Sequence, residues 1–243
     1  MFKILLTGSP VSTGKVVREH LEGLGYEVIN IGDSSECEVV CDFGSSRFNS
    51  NQSDRVIKAA VRMGDTPPIA LVNLAGITIM NKIDQVNSDD WDYLMRINLK
   101  APFMLGQSFL DIQPDYEKTN NPVIVNIASM GYKIPLRHST SYCASKAGLV
   151  AITKQMAKEM GKKAKIIAVA PGSIENSNMI EQVINIIMQL RIISKKEATD
   201  YVKNGTPLGR MQTMEEVARM VQMAIEAPDY MTGAVMEAPG GAI

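Results

Sequence analysis

The sequence predicts an α/β fold of the doubly wound type, with a seven-stranded parallel sheet covered by helices on both faces. Two observations lead to this prediction. Short apolar runs rich in β-branched residues alternate along the chain with longer amphipathic stretches, as in parallel sheets whose crossovers are helices. The chain has 243 residues, of which 45% are hydrophobic, and this is enough to bury one substantial core. We therefore expect a single domain over residues 1–243.

The short apolar runs predict the strands, because residues of this kind suit a sheet that is buried on both faces. In chain order the strands are Phe2–Leu6, Glu27–Ile31, Glu38–Cys41, Ile69–Asn73, Val123–Ile127, Lys165–Ala170 and Ala234–Ala238. Only six residues, Gly32 to Cys37, separate the second strand from the third. This is too short for a crossover helix, so we expect a loop there.

The amphipathic stretches predict helices at Gly14–Leu24, Asp54–Met63, Asp89–Leu110, Tyr142–Met160 and Glu215–Glu226. Two of these helices have clear start signals. Ser88 precedes Asp89 and Asp90, whose charges suit the positive end of a helix, and Thr213 with Glu216 forms a capping box. Residues 175–205 are harder to assign. Their segment "ENSNMIEQVINIIMQL" is so densely apolar that we expect it to cover an apolar surface, either as a lid over a substrate or as a subunit contact.

Composition argues against several classes of protein. The formal net charge is -1 with acids and bases mixed, so no nucleic-acid surface is expected. No apolar stretch approaches the roughly 20 residues of a membrane span, and Ile4–Leu6 is far too short for the core of a signal peptide. We therefore expect no membrane partner and a cytoplasmic location. With three cysteines and two histidines, we expect neither a disulfide framework nor a metal site.

A glycine-bearing loop, "LLTGSPVSTGKVV", follows the first predicted strand. A triphosphate-binding loop would need four residues between its first glycine and the Gly-Lys pair, followed by Ser or Thr. Here five residues separate Gly8 from Gly14, and Val16 follows Lys15, so that interpretation fails. A glycine turn between a strand and a helix is instead typical of a dinucleotide site, where the pyrophosphate lies at the N-terminus of the helix.

The segment "SYCASKAG" places Tyr142 and Lys146 four residues apart, so on a helix they share one face. A free tyrosine has a pKa of about 10, and a cation one turn away favours the phenolate. This pair therefore suits proton transfer.

Ser129 follows the strand "VIVNI" at the carboxyl end, where sheets of this kind bind ligands. Asn98 lies four residues before Pro102, which has no N–H for the Asn98 carbonyl, so a water molecule could bind that carbonyl as part of a proton relay.

The motifs "TGSPVSTG", "NLAG", "NIAS", "YCASK" and "PGSIEN" occur in this order on successive strand ends and helices. Over nearly its whole length the sequence resembles the short-chain dehydrogenase/reductase family, which implies a Rossmann fold and an NAD(P)-dependent enzyme. The resemblance implies a catalytic tetrad of Asn98, Ser129, Tyr142 and Lys146. In it Tyr142 is the general acid or base, Lys146 lowers the pKa of Tyr142 and binds the nicotinamide ribose, and Ser129 holds the substrate oxygen.

The same resemblance implies a set of cofactor-binding residues in the loops that follow the strands. They are Gly8, Ser12, Thr13, Gly14, Asp33, Asp42, Phe43, Asn73, Ala75, Gly76, Tyr142, Lys146, Pro171, Gly172 and Ile174. Ser12 stands where the family has a glycine, so its side chain is expected to crowd the pyrophosphate if the backbone there approaches closely or has a positive φ. Its hydroxyl could instead donate a hydrogen bond to the pyrophosphate. Asn176 stands where the family often has Thr, a change that we expect to be tolerated.

The choice between NAD and NADP is expected at the end of the second strand, where a carboxylate binds the ribose 2′-OH and repels a 2′-phosphate. Gly32 occupies the usual position of that carboxylate and Asp33 follows it. No arginine lies in this loop, and the first one after it is Arg47, so NAD is favoured, although the hydroxyls of Ser34 and Ser35 leave NADP open.

The substrate is expected to be a small, hydrophobic molecule that interconverts between ketone and secondary alcohol. "NLAGIT" and "PLGRM" look most like the 3-oxoacyl-carrier-protein reductases. A dehydrogenase of alcohols, sugars or steroids and a non-catalytic cofactor-binding protein remain alternatives. The chain has little clustered basic surface for an acidic carrier protein, although Arg137 and Lys133 near the site could serve. Lys162, Lys163 and Lys165 are expected at a solvated helix end. The resemblance also implies a homodimer or homotetramer formed through the long helices and the last strand.

Overall fold

The computed structural model describes residues 2–8, 10–63, 66–113 and 122–242. Seven parallel strands form one sheet in the order β3-β2-β1-β4-β5-β6-β7, which confirms the predicted fold class. The strands are β1 Lys3–Thr7, β2 Glu27–Gly32, β3 Val39–Val40, β4 Pro68–Asn73, β5 Val123–Ile127, β6 Lys165–Ala170 and β7 Val235–Glu237. The α-helices are α1 Ser12–Gly23, α2 Ser50–Val61, α3 Ser88–Met95, α4 Ala101–Asp111, α5 Thr140–Met160, α6 Asn178–Arg191, α7 Lys195–Lys203 and α8 Met214–Glu226.

The sheet is buried on both faces, as the continuous apolar runs predict. One face packs against α2, α4 and α5, with Leu105, Phe109 and Met156 among the side chains in that core. The other face packs against α1 and α8, through residues that include Val17 and Val221. Within the described part of the chain, no helix combines the length and apolar character needed to cross a bilayer.

The connection between β2 and β3 is a loop without a helix, as predicted from its length. Glu38 stabilises this short return, because its carboxylate accepts a hydrogen bond from the backbone N–H of Asn30 at 2.8 Å and pairs with Arg18 at 2.9 Å. The strand β3 is shorter than predicted and retains only Val39 and Val40, which pair with the last two residues of β2.

The helix predicted over Asp89–Leu110 is interrupted. It consists of α3, a π-helical turn at Arg96–Lys100, and α4. Pro102 is the physical reason, because it lacks the N–H that would bond the carbonyl four residues earlier, and the N–H of Ala101 instead bonds Arg96. The helix predicted at Asp54 begins earlier, at Ser50, because the side chain of Asn49 accepts a hydrogen bond from the N–H of Gln52.

Residues 177–205 contain a helical hairpin of α6 and α7, which apolar density alone did not predict as helices. The apolar residues of the two helices pack against each other and against Met211, with Ile180, Ile184 and Ala198 buried. Much of the apolar surface of this segment is therefore buried between its own two helices.

The expectation of a solvated cluster at Lys162, Lys163 and Lys165 is wrong for its last member. The side chain of Lys165 is only 5% exposed, because the residue opens β6 and its ammonium group donates to the carbonyls of Ile225 and Ala227 at the end of α8.

Candidate active site

The first half of α5 brings Tyr142 and Lys146 together on one face of the helix, as their spacing predicts. Both side chains are buried, with 8% and 3% of their surface exposed. The Lys146 ammonium donates a hydrogen bond to the carbonyl of Ile127 at 2.8 Å and lies 5.9 Å from the centre of the Tyr142 ring. The lysine is thus anchored to the end of β5 while it faces the tyrosine.

Ser129 follows β5 and faces the same point. Its hydroxyl is a hydrogen-bond partner of the Tyr142 hydroxyl, and it accepts a hydrogen bond from the N–H of Gly131 at 3.1 Å. A Cβ atom on Gly131 would lie 3.5 Å from both the Ser129 oxygen and the Tyr142 ring, and 3.1 Å from the side chain of Leu136. Glycine therefore leaves room for the serine, the tyrosine and an apolar neighbour to meet.

Burial shifts the pKa values of this pair in opposite ways. The pKa of Tyr142 is raised, first by burial, with the Ser129 hydrogen bond lowering it and the charge of Cys143 raising it. The sequence predicted that the lysine lowers the pKa of Tyr142. In the protein without cofactor the pKa is raised instead, because desolvation is the largest effect. Burial also lowers the pKa of Lys146 to about 8. Near neutral pH the tyrosine keeps its proton, and the lysine can exchange one.

Asn98 lies in the π-helical turn and is fully buried, so it is not the solvated asparagine of an ordinary helix surface. Its amide pairs with both backbone groups of Ile77, accepting from the N–H at 2.9 Å and donating to the carbonyl at 2.9 Å. A Cβ atom on Gly76 would lie 3.3 Å from the Lys146 nitrogen and 3.4 Å from the Asn98 oxygen. Gly76 therefore leaves the space beside both groups open.

The glycine loop after β1 ends in the uncapped N-terminus of α1. Among the described residues no side chain caps this helix, and its first turn has no acidic residue, whereas side chains cap α2, α3, α6, α7 and α8. Gly8 has a φ of 122° and donates its N–H to the carbonyl of Ile31 at 2.8 Å. Ser12 has a φ of 53°, the left-handed conformation for which glycine is favoured. Thr13 is half-buried and Gly14 is buried just behind it.

Comparison with known proteins agrees with this geometry. The family model described as short chain dehydrogenase matches residues 14–185. The chain belongs to the short-chain dehydrogenase family. The 3-oxoacyl-(acyl-carrier-protein) reductase of Thermotoga maritima is 30% identical to this dehydrogenase over 97% of the chain and 88% of the relative. A (3R)-3-hydroxyacyl-CoA dehydrogenase of Canis lupus familiaris is 27% identical over 98% of the chain and 94% of the relative.

Among solved structures, a variant actinorhodin polyketide ketoreductase with NADPH superimposes with a TM-score of 0.87 at 26% identity. The match covers 99% of this dehydrogenase and 97% of the ketoreductase. The protein is therefore an NAD(P)-dependent oxidoreductase with a Rossmann fold, as the sequence motifs imply.

Two features of the dehydrogenase fit a nicotinamide dinucleotide. The free N–H groups at the start of α1 suit a pyrophosphate, and Gly76 leaves space beside Lys146 and Asn98. The loop after β1 and the loop after β4 are also joined, because the N–H of Ala75 donates to the hydroxyl of Thr7 at 3.1 Å. A reduced nicotinamide bound there would supply a hydride.

The end of β2 leaves no room for a side chain at Gly32. A Cβ atom there would lie 2.8 Å from the carbonyl oxygen of Gly8 and 3.1 Å from the sulfur of Cys37. A carboxylate therefore cannot occupy this position without displacing the glycine loop, and the next residue, Asp33, has an exposed side chain instead.

Several predicted cofactor residues use their side chains within the protein. Asn73 donates to the side chain of Asn126 at 2.8 Å and lies in the core. The ring of Phe43 is buried edge-on against Phe48, and the Asp42 carboxylate accepts from the N–H of Gly44 at 2.8 Å. The structure therefore places the Asn73 and Phe43 side chains in the interior, whereas Asp42 stays exposed.

The loop after β6 carries Pro171, Gly172 and Ile174, and the side chain of Gln212 organises it. Gln212 accepts from the N–H of Gly172 at 3.0 Å, while its backbone pairs with that of Ile174 as an isolated parallel bridge. Asn176 has a φ of 56°, which asparagine tolerates better than the threonine common in the family.

Sequence reasoning missed two residues that support the site, Ser145 and Gln212. A serine within a helix, three residues after Tyr142, was a detectable signal, because serine there can bond a backbone carbonyl of the preceding turn. Nothing in the sequence around Gln212 indicates its role, since its partner Gly172 lies forty residues away.

Proposed function

We propose that this dehydrogenase reduces the ketone of a 3-oxoacyl thioester to a secondary alcohol. Ser129 holds the ketone oxygen, and Tyr142 donates its proton to that oxygen as hydride reaches the carbonyl carbon. The observation that carries the proposal is the meeting of the Ser129 and Tyr142 hydroxyls beside the buried Lys146. The tyrosinate that forms regains a proton through Lys146, whose pKa of about 8 allows exchange near neutrality.

Two observations support reduction of an apolar ketone. Because the pKa of Tyr142 is raised, its hydroxyl is protonated at neutral pH and is ready to act as a general acid. Leu136 reaches the space beside Ser129 and Tyr142 and is 46% exposed there, so it offers an apolar wall to a substrate. The two relatives, a 3-oxoacyl-(acyl-carrier-protein) reductase and a (3R)-3-hydroxyacyl-CoA dehydrogenase, favour an acyl thioester as the substrate.

The α6–α7 hairpin supports the proposal as a lid. A cavity of about 380 Å³ lies between the loop at Gly76–Ile79 and the start of α6, where Asn178, Met179 and Gln182 face it. This cavity adjoins Gly76, the residue that leaves Lys146 and Asn98 accessible. We therefore favour a lid over a subunit contact for residues 175–205.

We further propose NAD(H) as the preferred cofactor. Asp33 is the exposed carboxylate at the end of β2, and Glu36 follows it in the same loop. Arg18, on the neighbouring α1, pairs with Glu22 and Glu38 at 2.7 and 2.9 Å. A 2′-phosphate would therefore meet carboxylates beside an arginine that is already paired, although the ketoreductase neighbour carries NADPH.

We also propose that the protein forms a homo-oligomer and is located in the cytoplasm. The strand β7 lies at an edge of the sheet, and the residues around it include Tyr230, whose side chain is fully exposed, and Met223, which is 57% exposed. An edge strand beside exposed apolar side chains suits contact with a second copy. Sedimentation should therefore give a dimer or tetramer, and a monomer at micromolar concentration would contradict this part.

The test of the reaction uses two tyrosine variants. The protein is mixed with NADH and a 3-oxobutanoyl thioester, and nicotinamide absorbance is followed. Tyr142→Phe should lower kcat at least about 100-fold, the range for loss of a general acid. Tyr132→Phe is the matched control, since that hydroxyl bonds Glu237 and not the site, and it should keep the parent rate. Equal loss in both variants would contradict the role of Tyr142.

The substrate class and the cofactor are tested separately. In the first test a simple ketone and a keto sugar replace the thioester. If only these compounds are reduced, the thioester is not the substrate, but the proposed reduction of a ketone still holds. NADH and NADPH are then titrated by nicotinamide fluorescence against the parent and Asp33→Asn. We expect the parent to bind NADH more tightly and the variant to lose about tenfold of that preference. A parent that prefers NADPH would contradict the role of Asp33.

A further inference from the structure

We propose that Ser145 is a positioning residue, which couples Asn98 to the helix that carries Tyr142 and Lys146. The inference rests on the proposed function, because it concerns the same tetrad. Ser145 lies between Tyr142 and Lys146 in sequence, and its side chain is completely buried.

The hydroxyl of Ser145 joins two catalytic elements directly. Its oxygen accepts a hydrogen bond from the Asn98 amide nitrogen at 3.1 Å and donates its proton to the backbone carbonyl of Tyr142 at 2.7 Å. The same Asn98 amide nitrogen donates to the carbonyl of Ile77 at 2.9 Å. Ser145 and Ile77 therefore hold the Asn98 amide from two sides.

The location of Asn98 explains why such support is needed. Asn98 lies in a π-helical turn, where the regular hydrogen-bond ladder is broken, so its orientation depends on side-chain bonds. The turn also packs closely on α5, because a Cβ atom on Gly148 would lie 3.1 Å from the side chain of Leu99. Gly148 and Ser145 are three residues apart on one face of α5. This face thus sets the distance between the π turn, which carries Asn98, and the part of α5 that carries Tyr142 and Lys146.

Asn98 in turn borders the space beside Lys146, as the closeness of both groups to Gly76 shows. A shift of the amide changes the surroundings of the Lys146 nitrogen, which otherwise bonds only the carbonyl of Ile127 among the described residues. Ser145 therefore acts on proton transfer through Asn98 and Lys146, without touching the reacting atoms itself.

The same helix supplies a matched control. Thr153 is equally buried, accepts from the amide of Asn126 at 2.9 Å and donates to the carbonyl of Leu149 at 2.8 Å. This pair repeats the Ser145–Asn98 arrangement about two turns further along α5. Removing either hydroxyl leaves one buried amide short of an acceptor, so a purely structural role predicts similar losses of stability for both.

The experiment compares Ser145→Ala, Ser145→Cys and Thr153→Val with the parent. The cysteine variant keeps the volume of the side chain while its hydrogen bonds are weak, so it protects the test against a packing defect. With NADH and the 3-oxobutanoyl thioester, both Ser145 variants should lose about fivefold in kcat, the factor of one neutral hydrogen bond, with KM nearly unchanged. Their pH–rate midpoints should move from that of the parent, and Thr153→Val should keep the parent kcat and profile.

A second measurement does not depend on turnover. NMR of lysines labelled at the ε-carbon reports the titration of Lys146, assigned by its loss in Lys146→Met. We expect the titration midpoint to move in both Ser145 variants and to stay in Thr153→Val. Parent-like kinetics and titration in the Ser145 variants, or equal changes in Thr153→Val, would overturn the inference. If the midpoint moves but no ketone is reduced by the parent, the proposed function fails while the coupling stands.

Discussion

The backbone conformation of Ser12 should affect how tightly the loop after β1 binds a cofactor. Its φ of 53° lies in the left-handed region, where an L-residue costs about 1–2 kcal/mol and glycine costs little. The residue opens α1, whose free N–H groups fit a pyrophosphate. The strain and the side chain therefore occur at the point where we propose that the backbone approaches the cofactor closely.

Ser12→Gly should bind NADH about twofold to fivefold more tightly, because the backbone keeps its conformation and no side chain stands above it. Fluorescence titration measures the change in Kd. His138→Gly is the control, since His138 has a similar φ of 62° outside the loop, and it should leave Kd unchanged. A Ser12→Gly variant with the parent Kd would show that the serine is no handicap.

Lys146 carries a stability penalty that depends on pH. Burial lowers its pKa in the folded protein from 10.5 to about 8, so between these values the unfolded chain binds more protons than the folded one. The free energy of unfolding therefore rises with pH across this window, and below about pH 8 the penalty is fully present.

Lys146→Met should raise the free energy of unfolding at pH 7 by about 2 kcal/mol, after allowance for the hydrogen bond to Ile127 that is lost. This advantage should shrink as pH rises from 8 towards 10, because the parent lysine then loses its buried charge. Urea unfolding at several pH values measures it, with Lys133→Met as an exposed control. A difference that stays constant with pH would contradict the assignment of the penalty to Lys146.

At the scale of elements, two buried lysines join strands to helix ends. Lys3 in β1 donates to the carbonyl of Val61 at 3.1 Å, where α2 ends, and Lys165 in β6 donates to Ile225 and Ala227 at the end of α8. A cation at the negative end of a helix is favourable and also satisfies carbonyls that lack an intrahelical partner. Each lysine therefore fixes the end of one helix beside the N-terminus of its own strand.

Lys165→Met should lower the free energy of unfolding by about 1–3 kcal/mol, because two carbonyls at the end of α8 lose their donor. Burial lowers the pKa of Lys165 too, so removing its charge offsets part of this loss. The loss of a donor to two carbonyls should still outweigh that gain, which makes the sign opposite to that of Lys146→Met. Thermal or urea unfolding at pH 7 measures the loss. Lys163→Met, two residues away, should change stability by less than about 0.5 kcal/mol. Equal effects would contradict the capping role.

At the scale of the whole molecule, the α6–α7 hairpin is attached to the body through residues near its base. The N–H of Glu175 donates to the carbonyl of Gln212, the N–H of Gln212 donates to the carbonyl of Ser173, and the Gln212 side chain holds Gly172. One residue thus links the hairpin that we propose as a lid to the loop after β6. Loss of its side chain should loosen both at once.

Gln212→Ala should raise KM for the thioester about threefold to tenfold with a smaller change in kcat, because the loop that carries Gly172 loses a hydrogen bond. Hydrogen exchange should become faster in residues 171–205 and stay unchanged in β1 and α1. Gln155→Ala is the control, since the side chain of Gln155 bonds Glu159 on the exposed side of α5, away from the hairpin. Unchanged exchange in the hairpin would show that Gln212 does not restrain it.

The parts of this protein that the sequence determined by itself are those with local causes. The apolar runs predicted all seven strands, because burial on both faces leaves a continuous pattern. The missing crossover helix followed from a count of residues. The four-residue spacing of Tyr142 and Lys146 placed them on one face of α5, since helix geometry alone sets that relation.

Only the tertiary structure decided features that depend on residues far apart in the chain. The space at Gly32 is limited by Gly8 and Cys37, and the burial of Asn98 depends on Ile77 and Ser145. The pKa of Tyr142 is raised because packing removes water from it, which outweighs the neighbouring lysine that the spacing reveals. Helical and strand periodicity act over a few residues, whereas desolvation and close approach arise from the whole packed core. For that reason the sequence predicted which groups meet at the candidate active site, and only the fold decided how they are held and protonated.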